Sequence, residues 1–244
     1  MQRSAPRLTR ILACAAVPVM LVVAGCSSGS GDSGSGTSGS KDKAATASAT
    51  PSPSQSTKTV EAAKFAKLPE ACKAITAKTT AALVPKAKAK AGTRAPSSDP
   101  DSRSGCSWNG LEDKGVKGSQ YRWLDVSFYR YASDVSLGSG QERAQNNMTK
   151  ELAKVEDTPG VQKVRGATVT GIGDEAKTLA YQLRKTNEDF VYATVVARTG
   201  NVLVMLSYNG AGYAGAPTPS DKAIMDGAVK AAKEAVAAVA AANK

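Results

Sequence analysis

The sequence predicts an α+β domain in its C-terminal three quarters: a largely antiparallel sheet of about five strands, helices packed on one face, and one disulfide. Three observations predict it. Segments after residue 106 alternate apolar and polar residues. Two of them are joined by Thr199-Gly200-Asn201, a tight-turn signature. Three other segments space their apolar residues three and four apart.

The first element is an address. Arg3, Arg7 and Arg10 precede an apolar run from Ile11 to Ala24, interrupted by Pro18. The run is too short and broken for a comfortable membrane span and fits a signal peptide. It ends in Val23-Ala24-Gly25-Cys26, which resembles the lipobox of bacterial lipoproteins. That resemblance implies cleavage before Cys26 and attachment of a diacylglycerol to its thiol, with residues 1–25 removed. The alternative is an ordinary secretory signal beside a chance cysteine. Two acyl chains suffice for stable anchoring where one does not, at ~0.8 kcal/mol per buried methylene. Cleavage takes three arginines and no acid from 32 basic and 21 acidic residues, leaving a charge of +8. Such a charge draws the chain toward anionic lipids or wall polymers, or simply keeps an alanine-rich surface soluble.

Residues 26–59 form a tether. Ser27 to Thr57 is nearly all Ser, Gly, Thr, Ala and Lys, with Pro51 and Pro53. It has too few large apolar residues to offset the entropy of ordering. A coil of this kind has an end-to-end distance of about 30 Å and stretches to roughly 100 Å.

Residues 60–244 form the domain, long enough at about 185 residues for one real core. Val60 to Val84 reads as partly helical, with Pro69 and Glu70 in a first turn and Ala71, Ile75 and Leu83 inward. Pro85 ends it, and Lys86 to Gly105 reads as an exposed loop. Cys72 and Cys106 are the two cysteines of this region, and outside the cytoplasm two cysteines usually pair. Their pairing clips the first helix to the strand near Cys106. A redox or metal role lacks both CxxC spacing and histidine. Trp108 shares the side-chain parity of Cys106, so it packs beside the disulfide or stacks a ligand.

Tyr121 to Tyr131 is a strand, with Tyr121, Trp123, Asp125, Ser127, Tyr129 and Tyr131 on one face and Leu124, Val126 and Phe128 on the other. Ser139 to Val155 reads as a polar helix with Ala144, Met148, Leu152 and Val155 as its stripe, stopped by Thr158-Pro159-Gly160. Ala167 to Thr170 is a short strand, succeeded by Gly171-Ile172-Gly173-Asp174-Glu175-Ala176 and an alternating Leu179, Tyr181, Leu183. Phe190 to Arg198 and Val202 to Tyr208 form the hairpin. Ser220 caps a last helix to Ala242, with Ile224, Ala228, Ala232, Val236 and Val239 inward.

Gly171-x-Gly173-x-x-Ala176 matches a dinucleotide fingerprint, which needs a subsequent helix and a parallel strand. The next segment instead alternates like a strand, and Asp174 and Glu175 would face a pyrophosphate with like charge. A glycine turn between strands, with Asp174 capping amides, is the preferred reading. No cofactor and no metal ligand set is expected.

The lipobox, the tether, Cys72 after Leu68-Pro69, Cys106-Ser107-Trp108, the Gly171–Ala176 turn and the Val195–Val202 hairpin together resemble a family of actinobacterial envelope lipoproteins built on a domain of unknown function. They are similar, more distantly, to extracellular sensor domains of actinobacterial membrane Ser/Thr kinases, although this chain has one possible disulfide and no kinase domain. The resemblance implies a location and a fold, and no reaction.

Function is bounded by what is missing. With no histidine, a Ser-His-Asp or Cys-His apparatus cannot form within the chain. The expectation is a non-enzymatic binding or sensing module at the outer face of the cytoplasmic membrane, holding a lipid, wall polymer or envelope protein. Its candidate surface is Tyr121, Arg122, Trp123, Tyr129, Arg130 and Tyr131, where aromatics supply contact area and arginines pair with carboxylate or phosphate. The alternatives are an accessory subunit of an envelope complex, or a wall-polymer hydrolase using Asp174/Glu175 or Glu188/Asp189. Extracytoplasmic location argues against nucleic acid, which the charge alone would permit. Cys26→Ser is expected to release the protein from membranes and remove acyl mass. Continued membrane retention with an unmodified N-terminus would refute Cys26 anchoring.

Overall fold

The computed structural model describes residues 59–244, so Cys26 and nearly all of the tether lie outside the described residues. Seven strands form one antiparallel sheet: β1 (Thr93–Arg94), β2 (Arg103–Asp113), β3 (Ser119–Arg130), β4 (Gln162–Thr168), β5 (Glu175–Lys185), β6 (Glu188–Thr199) and β7 (Val202–Tyr213), in the order β1-β2-β3-β7-β6-β5-β4. Three helices accompany it: α1 (Ala77–Leu83), α2 (Gly140–Glu156) and α3 (Asp221–Ala241). Among the described residues no helix is long and apolar enough to cross a membrane.

The strand number corrects the expectation of about five. β1 is two exposed residues inside the segment read as a loop. β4 is exposed at every position, so it carries no alternation to read, and it begins five residues before the expected Ala167. The helix layering is corrected too. α3 lies on one face, where Ile224, Ala228, Ala231, Ala232, Ala235 and Val239 are buried with Leu124, Val126, Phe128, Val195, Val204 and Leu206. α2 lies on the other, with Met148 packed against Val196 and Leu203. The cause is that the central strands are apolar on both faces: every residue from Ala193 to Ala197 is buried.

Local signals placed the elements. Ser139 accepts from Glu142 N–H while the Glu142 carboxylate accepts from Ser139 N–H, so a capping box starts α2. Ser220 accepts from Ala223 N–H at the start of α3. Thr76 accepts from Thr79 N–H at the start of α1, which Val84 and Pro85 terminate. The first helical stretch is shorter than expected, a single 3-10 turn at Ala71–Lys73 and then α1.

The Cys72–Cys106 disulfide is present, with Cα atoms 5.1 Å apart across a sequence separation of 34. It ties the 3-10 turn to β2. Trp108 is buried beside it: a Cβ on Gly92 would collide with the Cys106 sulfur and meet the Trp108 ring at 2.7 Å. Gly92, at φ +82°, is therefore required for the chain to pass this close.

The β6–β7 turn does more than reverse the chain. Asn201 is fully buried, and its Oδ1 accepts from Phe65 N–H at 2.7 Å. Its Nδ2 donates to the carbonyls of Phe65, at 3.0 Å, and Tyr131, at 2.9 Å. One side chain thus joins the N-terminal segment, the end of β3 and the hairpin. Asn201→Ala leaves three backbone groups without these partners and is expected to cost about 2–4 kcal/mol. Urea unfolding at unchanged m-value measures it; a loss below about 1 kcal/mol would mean that the clamp is replaceable.

Candidate binding face

Residues paired across neighbouring strands share a face, so the register assembles the second face row by row. Asn109, Trp123, Asn209, Tyr192 and Tyr181 form one row across β2, β3, β7, β6 and β5. Ser107, Asp125, Ser207, Thr194 and Leu179 form the next. α2 and the segment after it cover part of this face, where Leu152, Val155 and Val161 pack on Leu179, Tyr181 and Leu183.

Beyond that cover the aromatic rings pack on one another. Phe190 meets Tyr121 at 5.9 Å and Tyr213 at 6.2 Å edge-on, and Tyr192 at 6.2 Å with a tilt of 35°. Tyr181 stacks on Tyr192 at 4.9 Å. Offset and edge-on rings at these separations are favourable by roughly 0.5–1.5 kcal/mol a pair beyond their burial. Phe190 is buried, while Tyr121, Trp123, Tyr192 and Tyr213 are half-buried and present ring surface. Burial pushes the hydroxyls of Tyr121 and Tyr181 above the ordinary tyrosine range, and they pair with Asn109 and Thr194.

Asp125 sits at the edge of these rings. Its side chain takes a hydrogen bond from Trp123 Nε1 at 3.3 Å. Among the described residues no lysine or arginine forms an ion pair with it. Burial raises its pKa from 3.8 to about 6, against the smaller lowering by Trp123. An acceptor-rich carboxylate beside a tryptophan edge can accept hydrogen bonds at the margin of an apolar floor.

The candidate surface read from the sequence is divided. Tyr121 and Trp123 belong to the open aromatic part. Tyr129 and Tyr131 pack against the Met148 cluster beneath α2. Arg103 and Arg143 lie over those two rings, at 5.7 and 5.9 Å. Arg122 and Arg130 point to the opposite face, where Arg130 Nε donates to the Asp101 carbonyl. Asp125, Asn209, Phe190, Tyr192 and Tyr213 were not singled out by sequence. They lie on three strands, and only the order β3-β7-β6 brings them together. Asp125 was legible as a charge on the aromatic parity of β3.

The other acidic candidates hold structure. The Asp174 carboxylate accepts from Gly200 N–H at 2.6 Å and from Arg198 Nη1 at 3.1 Å, so it ties the Gly171–Asp174 turn to the β6–β7 turn. The segment after that turn is β5, antiparallel to its partners, which is not the geometry of a dinucleotide fold. Asp189 pairs with exposed Arg184, and Glu188 lies opposite Lys185 at the end of the β5–β6 hairpin. Among the described residues no group of acidic or cysteine side chains could hold a metal ion.

No protein-family model matches the sequence, and no curated protein matches it. A solved structure, that of LpqN, described as involved in cell envelope biogenesis of Mycobacterium tuberculosis, is similar over 58% of this chain and 82% of that one. The identity is 16% and the TM-score 0.33, a likeness that carries neither fold nor role across.

A carboxyl whose pKa is higher folded than unfolded binds more protons in the native state, so stability falls as pH rises from about 4 to about 6 and then levels. Asp125→Asn is expected to remove that slope and to raise stability at pH 7 by about 1–3 kcal/mol. Urea midpoints across this pH range test it. An unchanged slope would place the carboxylate in water.

Proposed function

We propose that the protein is a lipid-anchored, non-enzymatic binding module at the outer face of the cytoplasmic membrane, and that its open aromatic face holds a neutral glycan of the cell envelope. The lipobox at Cys26 and the Ser/Gly tether support the anchoring, and the disulfide suits an oxidising compartment. The Trp123–Asp125 pair on the half-buried ring floor carries the ligand assignment. Rings supply flat apolar area at low entropic cost, which suits the C–H face of a sugar. A carboxylate accepts from hydroxyls. An unpaired acid on this face disfavours anionic ligands.

An array of envelope oligosaccharides probed with the full mature chain carrying Cys26→Ser tests this reading. A neutral glycan should be retained and should shift the emission of Trp123. Trp123→Ala and Asp125→Asn should each weaken retention by roughly tenfold or more, the loss expected when a buried hydrogen-bonding partner is removed. Retention unchanged by both variants, or no retained glycan, would overturn it.

A further inference from the structure

The opposite face of the sheet carries a separate cleft of about 620 Å³, between the start of α3, the end of α1 and the ends of β2, β3 and β7. The volume lies within the range of small-molecule sites. Leu83, Pro85 and Pro219 give it apolar walls, backed by the buried Ile224 and Tyr208. Lys114, Lys117 and Arg122 give it a basic rim, with Glu112 as the acid among the lining residues. Glu112 is already occupied by Lys114 at 3.4 Å.

Arg122 is placed for recognition rather than for an internal ion pair. Its cross-strand neighbours on this face are Gly110 and Gly210, so no neighbouring side chain fills the space beside its stem. A Cβ on Gly210 would meet Arg122 Nη1 at 2.7 Å. The guanidinium donates to the Tyr121 carbonyl at 2.7 Å and lies beside the Tyr208 hydroxyl, which itself donates to the Leu83 carbonyl. Among the described residues neither Arg122 nor Lys117 has a carboxylate partner. A half-buried guanidinium keeps donors free in a setting where an anion gains more than in water. Gln120, also lining the cleft, has a buried Oε1 with no hydrogen-bond partner.

We propose that this cleft binds an amphiphile with a single alkyl chain and an anionic head group, carboxylate or phosphate, the head on Arg122 and Lys117 and the chain along Leu83 and Pro85. The site lies across the sheet from the aromatic face, so it stands or falls independently of the glycan reading.

Calorimetric titration of the full mature chain carrying Cys26→Ser, with decanoate and with decyl phosphate below their micellar concentrations, tests the proposal. Saturable binding of either supports it, and their relative affinities identify the head group. Decyltrimethylammonium, decyl glucoside, acetate and inorganic phosphate are the comparison ligands. Each should bind at least about tenfold more weakly, since each lacks the charge or the chain. Arg122→Gln should weaken decanoate by roughly tenfold or more and Arg122→Lys by less, because lysine keeps the charge without the fork. Lys117→Gln, at an exposed turn where folding is not at stake, should weaken it by about threefold. Equal binding of the cationic or glucoside detergent would overturn the charge recognition. Equal binding of acetate would overturn the role of the chain. No saturable binding by either anionic probe, or affinities untouched by all three variants, would overturn the site.

Discussion

The structure depends on the burial of its central strands from both sides. β6 and β7 are buried at most of their positions, on both faces, so each face of the sheet needs its own cover. The two covers are unequal. α3 presents Gly227, Ala228, Ala231, Ala232 and Ala235, and these small residues let a long helix lie flush on the first face. α2 is polar, with 17 residues and a narrow stripe of Ala144 and Met148. A helix of that length spans about 25 Å and about 10 Å in width. Seven strands at about 4.8 Å spacing, some of them about 40 Å long, make a much larger surface. The shortfall is met by aromatic side chains that bury one another. Phe190 is closed in by Tyr121, Tyr192 and Tyr213 rather than by a helix.

The acid on that surface has no structural reason to be there. Its neighbours along the row are Ser107, Ser207 and Thr194, uncharged residues that hydrogen-bond without an ionisation cost. Burial without a cationic partner is what drives the Asp125 carboxyl upward, and the Trp123 hydrogen bond returns part of the loss. Asp174 is the contrasting case: Arg198 and the Gly200 amide face it, and its place in the turn is explained. Asp125 therefore lowers stability, and the Trp123 hydrogen bond offsets only part of that cost.

Much of this was legible because local chemistry was strong. Ser139 at the start of α2, Ser220 before α3, Pro85 after α1 and Gly200-Asn201 between β6 and β7 each act within four residues, and each fell where the sequence put it. The disulfide was legible because two cysteines leave one pairing. What could not be read is of longer range. β1 and β4 are exposed edge segments whose ladders form by backbone pairing alone, and such pairing leaves no side-chain pattern. The side of the sheet that α2 takes depends on strand order, which period-two alternation does not encode. The clamp made by Asn201 links residues 136 positions apart, and an asparagine in a turn already has a sufficient local reason.

β3 shows most directly how one strand can serve two surfaces. Tyr121, Arg122 and Trp123 are consecutive, and in sequence they read as one aromatic-basic patch. Successive side chains in a strand leave on opposite faces, so the rings and the guanidinium are separated by the thickness of the sheet. Arg130 shares the side of Arg122, but eight residues of strand place it about 26 Å away, bonded to the Asp101 carbonyl. The separation sorts the chemistry. The face with the rings carries the unpaired acid, and the face with the cleft carries the unpaired base. Side by side, Asp125 and Arg122 would neutralise each other and leave neither free for a ligand. Held apart by the parity of one strand, each stays without an ion-pair partner, and the two faces carry opposite charge.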